Sequence, residues 1–180
     1  MKIAALALAA GLAMAGAAQA DVISSQEGGA VIRETFTVHA PAARVFEAMI
    51  HPANWWNGGH TFSQNAANIY VDTAPNGCLC EHLPSGGFVR HLNVVYYAPG
   101  EEIRFEGGMG PMQTTGTSGH MSWAVSEAAG VTTVTWTYAV GGYFPGGFVA
   151  FAPRIDGMLG EQTSRLKTFL ETGHVPAAAH

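Results

Sequence analysis

Both cysteines of the chain fall in one short stretch, Gly77–His91, GCLCEHLPSGGFVRH, together with two of the eight histidines. A turn centred on Ser85-Gly86 folds this stretch into a hairpin with Cys80 facing His91. Side chains alternate with period two, so Cys78 and His82 flank that pair on the same face. The other face then pairs Glu81 with Arg90, Leu83 with Phe88 and Leu79 with Leu92, a consistent set of cross-strand partners. Cross-strand Cβ atoms lie about 5 Å apart, close enough for several side chains to share one ion. Thiolate and imidazole suit zinc or copper(I), which makes Cys78, Cys80, His82 and His91 the metal-ligand candidates. The competing reading is two small buried thiols beside two polar strand residues, with no metal and no cofactor implied. A Cys78–Cys80 disulfide is the third outcome. In a regular strand, Cα atoms of residues i and i+2 lie about 6.6 Å apart with parallel side chains. A bridge needs Cβ atoms about 3.8 Å apart, so this one requires a local break in the strand.

For acid–base chemistry the polar groups that could reach an interior are His91, His120, Arg104, Asp72 and Asp156. Acid–base catalysis needs such a group beside the reacting atoms, with its basicity tuned by burial. None is placed there by spacing, so the catalytic residues stay unassigned. His120 shares the outward face with Ser122 by alternation, and Asp156 fits the favoured negative charge of a first helical turn. No nucleophile elbow, phosphate-cradling loop or paired-carboxylate motif occurs.

The elements that must position these groups follow from periodicity. Val31–Ala40 alternates apolar Ile32, Phe36 and Val38 with Arg33, Thr35 and Thr37, a half-buried strand. Pro41 suits the first turn of a helix whose apolar stripe is Val45, Phe46, Met49 and Ile50. His51-Pro52 ends it, and a loop or short second helix bearing Trp55-Trp56 follows. Strands are predicted at Ile69–Thr73, Gly77–Leu83, Phe88–Tyr97, Glu102–Glu106, Gln113–Ser126 and Val131–Val140. Around the turn Glu127–Gly130, one face carries Met121, Trp123, Val125, Val134, Trp136 and Tyr138. The opposite face is Ser122, Thr133, Thr135 and Thr137, which suits solvent. A last helix spans Pro153–Thr172 with Gly173 as its C′ residue. The glycine- and aromatic-rich segment before it, with Tyr143–Phe151 exposing large apolar groups, reads as a lid.

The ends set the compartment. Lys2, the uncharged apolar run Ile3–Ala18 and the small-x-small pattern Ala18-Gln19-Ala20 form a secretory signal, so the mature chain begins at Asp21 in a periplasmic or secreted setting. That run is too short and too weakly apolar for a spanning helix, and no other segment is long enough. Residues 21–173 make one domain, and 174–180 a disordered tail. With 12% charged residues, a net charge of −5 and no basic patch, nucleic acid is not an expected partner. The oligomeric state is not set by the sequence.

FTVHAPAARVFEAMIHPANWW near the start and GEQTSRLKTFLETG near the end, joined by consecutive strands, resemble the START-like, or SRPBCC, superfamily of polyketide cyclases and Bet v 1-type proteins. The resemblance implies an α+β helix-grip fold, a curved antiparallel sheet around a long C-terminal helix with a hydrophobic cavity between them. It implies a ligand that is a small hydrophobic molecule, and it carries over no catalytic residue by position. The expected ligand contacts are Trp123, Trp136, Tyr138 and Met121 on the aromatic face, with Phe105, Tyr143, Met158 and Gln162 around it. The function expected is therefore binding of that molecule, with a cyclase- or dehydratase-like enzyme using the same cavity as the alternative.

Overall fold

The computed structural model describes residues 19–175. Most of the signal expected at 1–20, and residues 176–180 of the expected tail, lie outside the described residues. The elements are β1 (Gln19–Gln26), β2 (Gly29–Val38), α1 (Ala42–Met49), β3 (Ile69–Val71), β4 (Cys78–His82), β5 (Phe88–Ala98), β6 (Glu102–Glu106), β7 (Gly116–Ala128), β8 (Val131–Tyr143) and α2 (Gly147–Thr172). Single 3-10 turns at Pro52–Asn54, Gly58–His60, Ala66–Asn68 and Gly110–Thr114 shape the loops.

One antiparallel sheet has the order β1-β2-β8-β7-β6-β5-β4-β3, and α2 packs across its concave side. This is the helix-grip α+β architecture. The β7–β8 hairpin has the expected faces, with Trp123 opposite Trp136, Met121 opposite Tyr138 and Val125 opposite Val134. Val45, Phe46 and Met49 of α1 are buried as the stripe required. Gly173 closes α2 in the left-handed region, its N–H donating to the Phe169 carbonyl at 2.8 Å. Among the described residues, no helix is long and apolar enough to cross a membrane.

Three expectations change. β1 is an additional strand, with Asp21 opposite Arg33 of β2. α2 begins at Gly147, not Pro153, so the predicted lid is largely the opening of that helix. Its rings stack on one another, with Phe144 to Phe151 centroids 4.1 Å apart. Pro153 is tolerated inside the helix on an exposed face, and Asp156 consequently sits in the third turn rather than the first.

The third change concerns the Cys-x-Cys hairpin. Leu79 faces Leu92 as expected, but Cys80 faces Arg90 rather than His91, and Glu81 faces Val89 rather than Arg90. The register slips between Leu79 and Cys80, leaving His91 as an extra residue on β5, a β-bulge. Cys78 and Cys80 form a disulfide across the slip, with Cα atoms 5.4 Å apart. That is shorter than the about 6.6 Å of a regular strand, so the break this bond requires is present.

Candidate functional site

The aromatic face of β7 and β8 is filled. Trp123 and Trp136 stack with centroids 4.4 Å apart, and Phe105 meets Trp123 edge-on at 5.0 Å. Trp55 covers Trp136 at 5.7 Å. The indole N–H groups of this cluster have partners: Trp123 donates to Met121 Sδ, Trp136 to Met49 Sδ, and Trp55 to the Ala48 carbonyl. Trp123, Trp136, Tyr138, Met121 and Phe105 are thus core residues in this structure and do not line its cavity.

The cavity lies toward the other end of the helix–sheet interface and holds about 340 Å³. Its walls come from four directions. Met158 and Ile155 project from α2, and Leu79 and Ile69 from β4 and β3. Trp56 and Phe62 come from the loop after α1, and Met109 and Met112 from the loop after β6. The lining is overwhelmingly apolar, with His91 in the wall and the polar side chains His60, Thr61 and Arg154 contributing elsewhere. Of the expected ligand contacts, Met158 alone lines it. Tyr143 is 73% exposed at the end of β8.

Gln162 and Tyr138 serve the cavity indirectly. The Gln162 Oε1 accepts the Asn57 N–H at 2.8 Å, and neighbouring Glu161 accepts from Asn57 Nδ2 and from His60 Nε2 at 2.8 Å. Arg165 donates to the Trp55 carbonyl at 2.8 Å. One face of α2 thereby fixes the loop that carries Trp56 and Phe62. On the opposite side the buried Tyr138 hydroxyl donates to the Gly107 carbonyl at 2.9 Å and accepts the Met109 N–H at 3.1 Å. Gly107 has φ of 142°, a region that side chains rarely adopt, so glycine is needed for this anchored loop. Burial pushes the Tyr138 hydroxyl up to about 12, so it remains a neutral donor.

The polar centre of the wall is a pair that the regular hairpin register hides. His91 Nε2 lies 3.0 Å from Glu81 Oε2, with both side chains buried. Glu81 also accepts the backbone N–H groups of Phe62, at 3.1 Å, and Ser63. The Phe62 ring stacks on the imidazole with centroids 5.9 Å apart. Burial by itself would raise the Glu81 carboxyl. The Ser63 hydrogen bonds, then those from His91 and Phe62, outweigh it and leave Glu81 below its ordinary value. For His91, burial pulls down and Glu81 pulls up, and burial wins. His91 is therefore a neutral imidazole at pH 7 whose Nε2–H points at a carboxylate. Its Nδ1 keeps a lone pair and has no partner among the described residues. Trp56, in the same wall, has a buried indole N–H that also lacks a partner among them.

The remaining candidates are dispersed. His120 is exposed, as alternation required. Exposed Arg104 pairs with Glu102 and lies over the Tyr96 ring, and Asp72 accepts the Ala74 N–H in a turn. Asp156 belongs to a different buried group, beside Glu34. The four metal-ligand candidates are not brought together. The two sulfurs are bonded to each other, His82 stacks outside on Tyr70, and the bulge turns His91 inward to Glu81. No group of three or more metal-binding side chains occurs among the described residues.

Similar proteins are known by structure and by family. Among curated proteins none matches the sequence significantly. DynU16, from the dynemicin biosynthetic locus, is 20% identical with a TM-score of 0.57, over 81% of this chain and 48% of its own. The present chain thus spans about half the length of DynU16. CalU16 from Micromonospora echinospora is 12% identical with a TM-score of 0.57, covering 88% of both chains. An uncharacterized protein from Rhizobium leguminosarum is 20% identical with a TM-score of 0.56, over 87% of this chain and 99% of its own. At such identities these likenesses establish the fold alone. The family model described as polyketide cyclase / dehydrase and lipid transport matches residues 29–171, and the chain belongs to that family.

Proposed function

We propose that this protein is an exported binder of a small, mainly apolar molecule held between α2 and the β3–β5 edge of the sheet. The observation that carries the reading is the cavity itself, about 340 Å³ with apolar walls and few polar groups. Sites for small organic ligands have this size and this composition. The loops that form it are tied down by Gln162, Glu161 and Tyr138, so the walls are preformed rather than gathered by the ligand. Export is supported by the signal-like start and by the Cys78–Cys80 disulfide, since such bonds persist in oxidising compartments.

Protein purified from the periplasm and extracted into organic solvent should release an apolar molecule in near-stoichiometric amount by mass spectrometry. The emptied protein should bind an apolar fluorescent dye, and Met158→Trp, which fills the cavity, should abolish that binding. A wild-type protein with no extractable molecule and no dye binding contradicts the reading.

A further inference from the structure

The Gly77–His91 hairpin has a break in its register, and one covalent bond sits on that break. At the base, Cys78 faces Asn93 and Leu79 faces Leu92. Toward the tip, Cys80 faces Arg90, Glu81 faces Val89 and His82 faces Phe88, one residue short of the base register. Carrying the base register to the tip would instead put Cys80 opposite His91, Glu81 opposite Arg90 and Leu83 opposite Phe88, with no residue left over. The loop between the strands, residues 83–87, would become one residue shorter, and both lengths are common in hairpins. The ladder holds this tip on one side alone. β6 pairs with β5 only from Asn93 onward, so residues 88–92 lie against β4 and no other strand. The Cys78–Cys80 bond is the covalent obstacle to the change. It keeps the two Cα atoms 5.4 Å apart, whereas a regular strand needs about 6.6 Å.

We propose that this disulfide is a redox switch that decides which side chain of β5 lines the cavity. Oxidised, the bulge puts His91 in the wall; reduced, the regular register puts Arg90 there and turns His91 outward beside Cys80. The inference rests on the cavity being a ligand site. Reduction is a thiol–disulfide exchange with a dithiol donor. One donor sulfur attacks a cysteine sulfur as the Sγ–Sγ bond breaks, and the donor's second thiol then displaces that cysteine from the mixed disulfide. The donor leaves as its own disulfide, and two electrons and two protons pass to Cys78 and Cys80. Both cysteines are buried, so the exchange waits on opening of the tip, whose residues 84–87 are exposed. Alternation with the inward-facing Leu79 and Leu92 brings Arg90 to the side of Glu81 in the regular register. Arg90 gives up Asn93, now 3.0 Å away, and the Gln113 bond to its carbonyl. Glu81 exchanges the His91 imidazole for a guanidinium, and the Phe62 ring loses its stack on His91. A long cationic side chain then shares the space of about 340 Å³. An apolar molecule meets an ion pair where it met a flat neutral ring, so the reduced wall holds it less tightly.

The test compares the isotope-labelled mature protein before and after dithiothreitol, a dithiol, with complete reduction verified by thiol alkylation. Cross-strand nuclear Overhauser contacts report the register, and Nile red, a neutral apolar dye, reports the cavity. On reduction the contacts of Cys80 should move from Arg90 to His91, and those of Glu81 from Val89 to Arg90. The dissociation constant of the dye should rise about tenfold, and reoxidation should reverse both changes. Contacts between Trp123 and Trp136 of the β7–β8 hairpin should stay as they are. Cys78→Ser/Cys80→Ser should show the regular register without reductant and should not respond to it. Three results overturn the proposal while leaving the ligand site standing. They are unchanged Cys80 contacts in the fully reduced protein or the double variant, loss of the β7–β8 contacts on reduction, which would make the bond a mere support of the fold, and a shifted register with unaltered dye affinity. Absence of Nile red binding by the oxidised protein overturns the cavity reading, and this regulation with it.

Discussion

Glu81 and Glu34 are both inaccessible to solvent, at 0% and 1% exposure, and their electrostatic states are opposite. Glu81 sits on β4 behind the cavity wall, where Ser63, His91 and Phe62 supply hydrogen bonds that hold it ionised despite burial. Glu34 sits on β2 beneath α2. It has one distant hydroxyl, Thr163 Oγ1 at 3.5 Å, and its Oε1 has no partner among the described residues. Burial first, and then the nearby Asp156 charge, push Glu34 up to about 8. Asp156 is itself raised, by burial and by Asp21. Burial alone therefore does not decide the charge of a carboxyl group. The number of donors aimed at it does. One glutamate is a fixed anion that can orient a neighbouring base; the other is a proton held between sheet and helix.

The largest expected effect separates the two directly. Glu81→Leu leaves the Phe62 and Ser63 N–H groups and the His91 Nε2–H without an acceptor, and should cost about 3–5 kcal/mol in urea unfolding. Glu34→Leu at the same pH should cost under about 1 kcal/mol, or stabilise, because it removes an underpaired group. Equal losses at the two positions would break the comparison.

Next in size is the pH dependence of Glu34→Gln. With a folded value of about 8 against an unfolded 4.5, the folded state keeps a proton across that window that the unfolded chain releases. Wild-type stability should therefore fall as pH rises from about 4.5 to about 8 through this group. Glu34→Gln should match wild type near pH 4.5 and gain on it progressively, by a few kcal/mol in all, as pH rises to about 8. A difference that does not change with pH would show that Glu34 is ionised in the fold.

A smaller effect belongs to the disulfide. Cys80→Ser opens a very short loop, so the chain-entropy loss is limited to about 1.5 kcal/mol, read as a lowered urea midpoint. The native protein should show no free thiol to alkylating reagent before reduction.

The smallest is the titration of His91, followed through its imidazole nitrogen resonances. It should titrate below the ordinary value of about 6.5, with the proton on Nε2. Because the unfolded chain takes that proton more readily, this group weakens the fold as pH falls below about 6.5. Glu81→Gln removes the partner that raises His91, so its value should fall further.

Much of the architecture was legible in the sequence because its signals were local. The β7–β8 hairpin follows from strict alternation, and α1 and the C-terminus of α2 from their apolar stripes and Gly173. α2 starts at Gly147, ahead of the expected Pro153, because a proline that resembles a first-turn residue is here tolerated inside the helix on an exposed face. The site was far less legible. Alternation puts His91 with the cysteines and Glu81 on the opposite face, so a single extra residue changes which side chains meet. Nothing in the composition of the hairpin announces that slip, apart from the Cys-x-Cys pair, whose bond could form only if the strand broke. Alternation marks the richest aromatic face, with Trp123, Trp136 and Tyr138, as the expected cavity wall. That face packs against itself, and the space opens where loops meet the sheet edge.

The chain has four tryptophans, and they report on the two ends of this interior separately. Their indole N–H signals can be followed by nitrogen–proton correlation NMR while an apolar ligand is titrated in. The account predicts that the Trp56 signal, from the cavity wall, shifts most, while Trp123 and Trp136, whose N–H groups are bonded within the core, stay in place. Shifts concentrated on Trp123 and Trp136, or no shift of any of the four at saturating ligand, would contradict it.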